Sequence, residues 1–438
     1  MTAAESSAGP TAPSGGPPGI RRLRVLLAGW TLRWFGVSFY VPYLLLYFHD
    51  SLGLDFVWGG LLIGGVAALA PPLALVGGGL SDRFGRRRLI VASLAVEAAA
   101  LGVLAVGILR EFLPVILAGM VGSQLCSSLG TPSTIAYVGD VTDPRQRTTA
   151  VAWVRIGINV GYSGGIALGG VLLVFLAFWE MTALASFVVG AGAVVGLLLL
   201  EPSTRDLELT KTGSTGLLSA AGKLGSTLEG VGQSLRRSTG TLRRHPVLLE
   251  LGLACGLSYL MFQQLNYSIS TFGLQDLALS YGLVGAALAV NGVTCVVLPI
   301  RLPEWVVGWR LTRVGAVGAG VIGVGLFAFG LDGTFRVAVV AFYFAAVLTM
   351  SVGECFATLP PYALSLNLAP ADQRGAFAGA ISMSTGMVAS LSAIFAGAAL
   401  TVARYPLLTW AILAAPAGPS VAIFGHLRSR FSRDRDRV

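Results

Sequence analysis

The stretch Gly78-Gly79-Leu80-Ser81-Asp82-Arg83-Phe84-Gly85-Arg86-Arg87-Arg88 sets four arginines and one aspartate between two long apolar runs. Trp58 to Gly79 carries no charge, and Leu89 to Gly107 carries only Glu97. As helix, each run is about long enough to cross a hydrocarbon core of ~30 Å, which takes roughly 20 residues. So short a connection holds both helix ends at one membrane face, and its arginines assign that face to the cytoplasm. Any fold of this chain must be built from membrane-spanning helices.

The rest of the sequence agrees. Hydrophobic residues make up 54% and charged residues 12%, against about 25% charged in a soluble domain; mean hydropathy is +0.76. Apolar spans fall at about 25–48, 57–80, 89–109, 112–138, 149–177, 179–200, 247–270, 281–300, 314–331, 336–359, 375–402 and 405–427. The order is six, a gap, and six. The fold class is therefore all-α and polytopic, twelve transmembrane helices in two six-helix bundles. Residues 1–24 are expected as a disordered cytoplasmic tail, 25–200 as the first bundle and 201–246 as a cytoplasmic linker. Residues 247–427 form the second bundle and 428–438 a basic cytoplasmic tail. The linker is rich in Ser, Thr, Gly and basic residues, and Leu217 to Leu235 is expected to form an amphipathic interfacial helix.

A net charge of +9 could suggest a nucleic-acid partner. Position decides against it. Of the 30 basic residues, only Arg110, Arg336 and Arg404 fall outside and Arg33 and Arg155 within spans; the remainder lie on the cytoplasmic side. That asymmetry orients the chain in the cytoplasmic membrane with both termini inside, and the basic loops face anionic lipid headgroups. Most of the eight tryptophans lie near span ends, where interfacial anchoring puts them.

Cys126, Cys255, Cys295 and Cys355 lie in apolar runs without metal or redox spacing, and are expected to pack as small apolar side chains. His49, His245 and His426 have no ligand spacing, and no Gly-x-x-x-x-Gly-Lys-Ser loop occurs. No cofactor, metal or enzymatic chemistry is indicated. The expected partners are a small-molecule substrate, protons and membrane lipids, with the chain acting as a monomer.

The two halves repeat. Asp140-Val-Thr-Asp-Pro-Arg-Gln-Arg147 after span four matches Asn367-Leu-Ala-Pro-Ala-Asp-Gln-Arg374 after span ten, at an offset of 227 residues. At that offset Arg83 and Arg86 fall on Arg310 and Arg313, while Asp82 falls on Trp309. The second half thus keeps a degenerate copy of the arginine loop. Two parallel six-span repeats with a site between them near mid-membrane are a transporter architecture. The pattern Gly-x-Leu-x-Asp-Arg-x-Gly-Arg-Arg from Gly78 to Arg87 resembles the signature loop of the major facilitator superfamily, and every key position matches. The resemblance implies that Asp82, Arg83 and Arg86, on the frame of Gly78 and Gly85, form a charge cluster holding the cytoplasmic side closed in the outward-facing state. Asp140, at the same membrane level, is an available partner for Arg83. A plain topology anchor would need the arginines alone.

Span five contains Gly161-x-x-x-Gly165-Ile166-Ala167-Leu168-Gly169-Gly170. It is similar to the superfamily's antiporter motif, with Ile166 where proline is expected. Small residues at this spacing let helices pack closely, so a packing role and a coupling role both stand. Charges inside spans are expensive and are functional candidates by default. Arg33 in span one shares helical spacing with Tyr40, Tyr43, Leu44 and Tyr47. Glu354 lies in span ten, within Ser351-Val-Gly-Glu-Cys. The resemblance implies that spans one, four, seven and ten line the cavity, and span seven adds Tyr259, Gln263, Asn266 and Tyr267. Glu354 and Arg33 are the expected proton-coupling pair, because desolvation disfavours a buried carboxylate and a cation restores it. A mutual structural ion pair is the alternative. Arg155 and Asn159, one turn apart in span five, face the cavity or cap the inner gate, and Glu97 and Glu250 are reserve candidates.

The expected activity is secondary transport by alternating access, with proton-linked export of an amphipathic or aromatic solute first. Leu288-Ala-Val-Asn291-Gly292 and Gly353-Glu354 resemble multidrug-efflux branches of the superfamily. The alternative is a proton symporter importing a sugar, nucleoside or peptide. A scaffold or sensor that kept the fold but lost transport is the third reading.

Overall fold

A proline breaks the first span. The computed structural model describes residues 18–142, 147–211, 232–233, 236, 239–331, 338–370, 374–402, 405–433 and 436. Span one is a helix over Pro18–Val37, a 3-10 turn over Val41–Tyr43 and a second helix over Leu44–Asp50. Pro42 in that turn lacks an N–H and its ring collides with the carbonyl four residues earlier, so the α-helix stops before it. Span seven is interrupted at the matching level: helix Pro246–Phe262, 3-10 turn Gln263–Asn266, helix Ser268–Gln275. The two broken turns touch each other across the molecule. Interrupted spans at equivalent places in two repeats point to a transporter's binding site.

Span two runs as Phe56–Ala67 and Ala70–Phe84, span three as Arg86–Leu109, span four as Leu113–Val141 and span five as Arg147–Leu172. Span six is Phe178–Leu199, followed by a short linker helix, Thr204–Lys211. In the second half span eight is Tyr281–Trp305, span nine Leu311–Phe329, and span ten Val339–Ala357 continued by Pro360–Leu368. Span eleven is Arg374–Ala389 with Ser392–Val402, and span twelve is Pro406–Ala414 with Ala417–Arg430. Ten described helices are long and apolar enough to cross a membrane; spans one and five complete the twelve, and these two carry Arg33 and Arg155.

Packing repeats with the sequence. Span three lies against four and six as nine lies against ten and twelve; span one lies against five and six as seven lies against eleven and twelve. Around the outside, side chains such as Phe187, Leu198, Ile300 and Val324 are exposed, the apolar band a lipid-facing surface requires.

Two boundaries differ from the sequence expectation, and a third expectation is not covered by the described residues. The first helix begins at Pro18, inside the stretch read as a tail, while residues 1–17 lie outside the described part. The helix expected around Leu217 to Leu235 lies almost wholly outside the described residues. Span twelve extends to Arg430, and Asp436 of the supposed solvated tail is completely buried.

The glycines of span five act as a packing stripe. A Cβ on Gly161, Gly165 or Gly169 would run into the backbone oxygens of Thr31, Phe35 and Phe39 of span one, and one on Gly170 would stand 2.5 Å from Tyr281 O of span eight. Spans one and five can approach this closely only because those positions lack side chains.

At the end away from the arginine loop the halves are joined. Ser270 Oγ donates to Pro42 O at 2.6 Å, Gln275 Nε2 donates to Asp50 Oδ1 at 2.9 Å, and the Tyr43 and Tyr281 rings meet edge-on at 5.9 Å. Midway along, Asn159 Nδ2 of span five donates to Cys295 O of span eight at 3.1 Å.

Candidate transport site

Arg33 does not meet Glu354. It forms a two-pronged ion pair with Glu97 of span three, Nε to Oε2 at 2.6 Å and Nη2 to Oε1 at 2.8 Å, with both side chains almost fully buried. Its guanidinium carbon stands 5.1 Å from the Trp30 ring centre and 4.7 Å from that of Trp34, so two aromatic faces add cation–π attraction. Ser123 of span four donates to Glu97 Oε1 at 3.4 Å. The charge pair is thus internal to the first bundle. The expected stripe from Arg33 to Tyr47 fails because the α-helix ends at Val37, and the turns that follow rotate the later residues off that face. Tyr47 stacks on Phe178 of span six at 4.7 Å and donates to Ile108 O at 3.3 Å, turned into its own bundle. Tyr40 is buried beside Ser123 and Glu97, and Tyr43 lies at the contact between halves.

Glu354 sits in a different setting. Asn291 Nδ2 of span eight donates to Glu354 Oε2 at 2.7 Å and to Ser351 Oγ at 3.1 Å. The charge of Arg155, on span five of the other half, acts on this carboxylate, and Tyr162 of the same span lies within its field. Tyr162 Oη donates to Asn266 Oδ1 of span seven, a direct bond between halves, and Asn266 Nδ2 reaches Gln263 Oε1 at 3.5 Å. Tyr267 is buried next to Tyr162, and Tyr259 packs against Phe262 at 4.8 Å. Trp34 joins the two centres, its ring over Arg33 on one side and 6.0 Å from Tyr162 on the other. The helical spacing of Arg155, Asn159 and Tyr162 was the available signal for Tyr162; only the first two were singled out from sequence. Glu250, the other reserve acid, is half-buried and paired with Arg430 at 2.9 Å.

At the arginine loop, Arg86 pairs with Asp82 one turn earlier and with Asp140 at 3.2 Å, so the guanidinium on Asp140 belongs to Arg86 rather than to Arg83. Asp82 is 61% exposed and Asp140 25%. Gly78 lies within the helix that leads into the loop. Gly85 has φ +97, a left-handed conformation that glycine adopts without strain, and Asp206 of the linker helix fills the space where a Cβ would be. Asp206 Oδ2 accepts from Arg87 N at 3.2 Å and Ser203 N at 2.8 Å, while Arg87 donates to Leu200 O and Leu197 O at the end of span six.

The second half repeats this device with a different donor of charge. Trp309 stands where Asp82 does, and Arg313 lies over its ring at 4.3 Å. The missing acid comes from the C-terminal tail: Asp436 Oδ2 meets Arg310 Nε at 2.6 Å and Thr312 Oγ1 at 2.7 Å, and Oδ1 accepts from Thr312 N at 2.8 Å. Each bundle is therefore followed by an aspartate that caps the first turn of its third span. Asp436→Ala is expected to lower the thermal unfolding midpoint in detergent, because buried donors lose a charged acceptor worth of order 2 kcal/mol. An unchanged midpoint would make the tail contact incidental.

A sequence model of the Major Facilitator Superfamily matches residues 26–393. The chain belongs to this superfamily. It is a multi-pass membrane protein and a secondary transporter rather than an enzyme. A Na(+), Li(+), K(+)/H(+) antiporter of Planococcus maritimus is 25% identical over 390 residues, covering 83% of this chain and 86% of that protein. An uncharacterized MFS-type transporter of Mycobacterium tuberculosis is 27% identical over 300 residues, covering 66% of this superfamily member and 64% of the relative. Among solved structures, the peptide transporter POT in complex with sulfate superposes with a TM-score of 0.72 at 16% identity, covering 96% of this chain and 95% of that one. A POT family transporter in complex with 5-aminolevulinic acid gives 0.72 at 16%, covering 95% and 97%. These superpositions establish a shared fold.

Proposed function

We propose that this transporter exchanges protons for an amphipathic or aromatic solute across the cytoplasmic membrane, with Glu354 as the group that carries the proton. One observation carries the reading. Of the two acids deep in the membrane, Glu97 is locked to Arg33 within one bundle, whereas Glu354 is held by neutral Asn291 and carries no ion pair among the described residues, with the charge of Arg155 in the other half acting on it. A rocking motion that separates the halves at this level changes the field of Arg155 on the carboxylate, and so its proton affinity. The similarity to a cation/proton antiporter over most of both chains supports exchange. Trp34, Tyr162 and Tyr267 supply apolar faces with polar edges, suited to a substrate that is itself amphipathic.

With the arginine loop in the cytoplasm, the joined end is extracellular. The topology is tested by single cysteines at Ser7 and Gly230, which should label in whole cells only after permeabilisation. Transport is tested in inside-out vesicles with lipophilic cations, sugars and peptides, with and without an imposed pH gradient. Accumulation driven by the gradient supports exchange; uptake in the opposite sense would move the assignment to symport. That second reading has its own support, since Arg155 and Glu354 present opposite charges from opposite halves, an arrangement able to hold a zwitterion.

The loop acts as a gate in this reading. The exposure of Asp82 leaves its pairing with Arg86 screened by water, where ion pairs contribute about 0–1 kcal/mol. Asp140 shares the same arginine from a less exposed position. Asp140→Asn is therefore expected to slow transport more than Asp82→Asn, each with normal protein levels. A tenfold change in the balance of states corresponds to about 1.4 kcal/mol. Equal, wild-type rates in both variants would reduce the loop to a topology anchor.

A further inference from the structure

Spans eight and ten bring two thiols together beside Glu354. Cys295 Sγ and Cys355 Sγ are 3.8 Å apart, both buried and both free, although 60 positions separate them in the chain. Asn291, which holds the Glu354 carboxylate, also places its Nδ2 3.8 Å from Cys295 Sγ. On the other side the thiols adjoin an apolar cluster that includes Leu298, Val314, Phe356 and Leu359. The sulfurs are too far apart for a disulfide, which needs about 2.05 Å. A single soft atom bonded to both, at the roughly 2.3 Å typical of thiolate coordination, spans the gap with an angle of about 110° at that atom.

We propose that Cys295 and Cys355 form a dithiol site for trivalent aryl arsenicals, with the arsenic bridging the sulfurs and the aryl ring lying in the apolar cluster. For phenylarsine oxide the reaction is an exchange without oxidation. Two As–S bonds replace the bonds to oxygen, each thiol gives up its proton, and the oxygen leaves as water. The product straps span eight to span ten next to the proton-carrying acid.

The test is intact-mass spectrometry of the purified, detergent-solubilised full chain treated with phenylarsine oxide. One phenylarsenic adduct per chain is expected, with digestion placing it on the fragments that contain Cys295 and Cys355. The adduct should be removed by 2,3-dimercaptopropanol and resist the same thiol equivalents of mercaptoethanol, the behaviour of a two-sulfur chelate. These measurements use the unmodified protein and need no variant to fold. Cys295→Ala and Cys355→Ala should each abolish the adduct, while Cys126→Ala with Cys255→Ala should keep it. No adduct, an adduct mapped to Cys126 or Cys255, or release by the monothiol would each overturn the assignment. In vesicles, loss of transport on treatment is a further expectation that rests on the role proposed for Glu354. An adduct without inhibition would keep the site and count against that role.

Discussion

Glu354→Gln is expected to abolish solute accumulation driven by a pH gradient while leaving substrate exchange and protein level unchanged. Glutamine keeps the shape and can still bond Asn291, but it cannot release a proton. In the proposed exchange the wild-type carboxylate alternates between charged and neutral forms, and the variant is held permanently at the neutral one. Uphill transport should fall at least a hundredfold in inside-out vesicles, and the pH dependence of the residual exchange should flatten. If Glu354→Gln still concentrates solute with the wild-type pH profile, the proton is carried elsewhere. Neither Glu97, locked to Arg33, nor Glu250, paired with Arg430, offers an equivalent setting.

The second large effect concerns stability. Arg33→Ala leaves the Glu97 carboxylate buried with one hydroxyl donor, Ser123, and takes the cation from between Trp30 and Trp34. Removing one partner of a buried ion pair costs about 3–5 kcal/mol, because the remaining charge has no compensation. The double change Arg33→Met with Glu97→Leu removes both charges and keeps the volume filled, and is expected to cost much less. The measurement is the thermal unfolding midpoint in detergent together with the yield of folded protein. A double variant less stable than Arg33→Ala would mean that the pair contributes net stability rather than merely requiring its two halves together. The same series separates structure from coupling: Arg33→Met with Glu97→Leu should retain proton-driven transport if Glu354 and Arg155 act as proposed.

Helical spacing does not carry the facing of side chains past a break in the helix. Tyr40, Tyr43 and Tyr47 fall at helical spacing from Arg33, but Pro42 ends the helix and each tyrosine takes a separate direction. Gln263 and Asn266 likewise fall in a 3-10 turn, which changes the angle between successive side chains. Their level in the membrane was legible, and their facing was not. Glu97 sits among alanines, valines and leucines that mark no preferred face, so nothing local tells that it turns toward span one. Cys295 and Cys355, and Asp436 and Arg310, are brought together by the docking of distant helices and a tail.

By itself the sequence determined twelve spans, their repeat, the arginine loop and the membrane class, because these follow from where apolar runs begin and end along one dimension. That span five could pack closely on a neighbour was also legible from glycine at four-residue spacing, whereas its partner, span one, was not. The tertiary structure alone decided that Arg33 belongs to Glu97, that Arg86 meets Asp140, that Asn291 holds Glu354, and that the tail supplies an acid to the second loop. Partner choice depends on how far each helix is rotated about its own axis and where a proline bends it. Lipid tails reward any rotation that keeps charge away from them, and only the packing of neighbouring helices selects one.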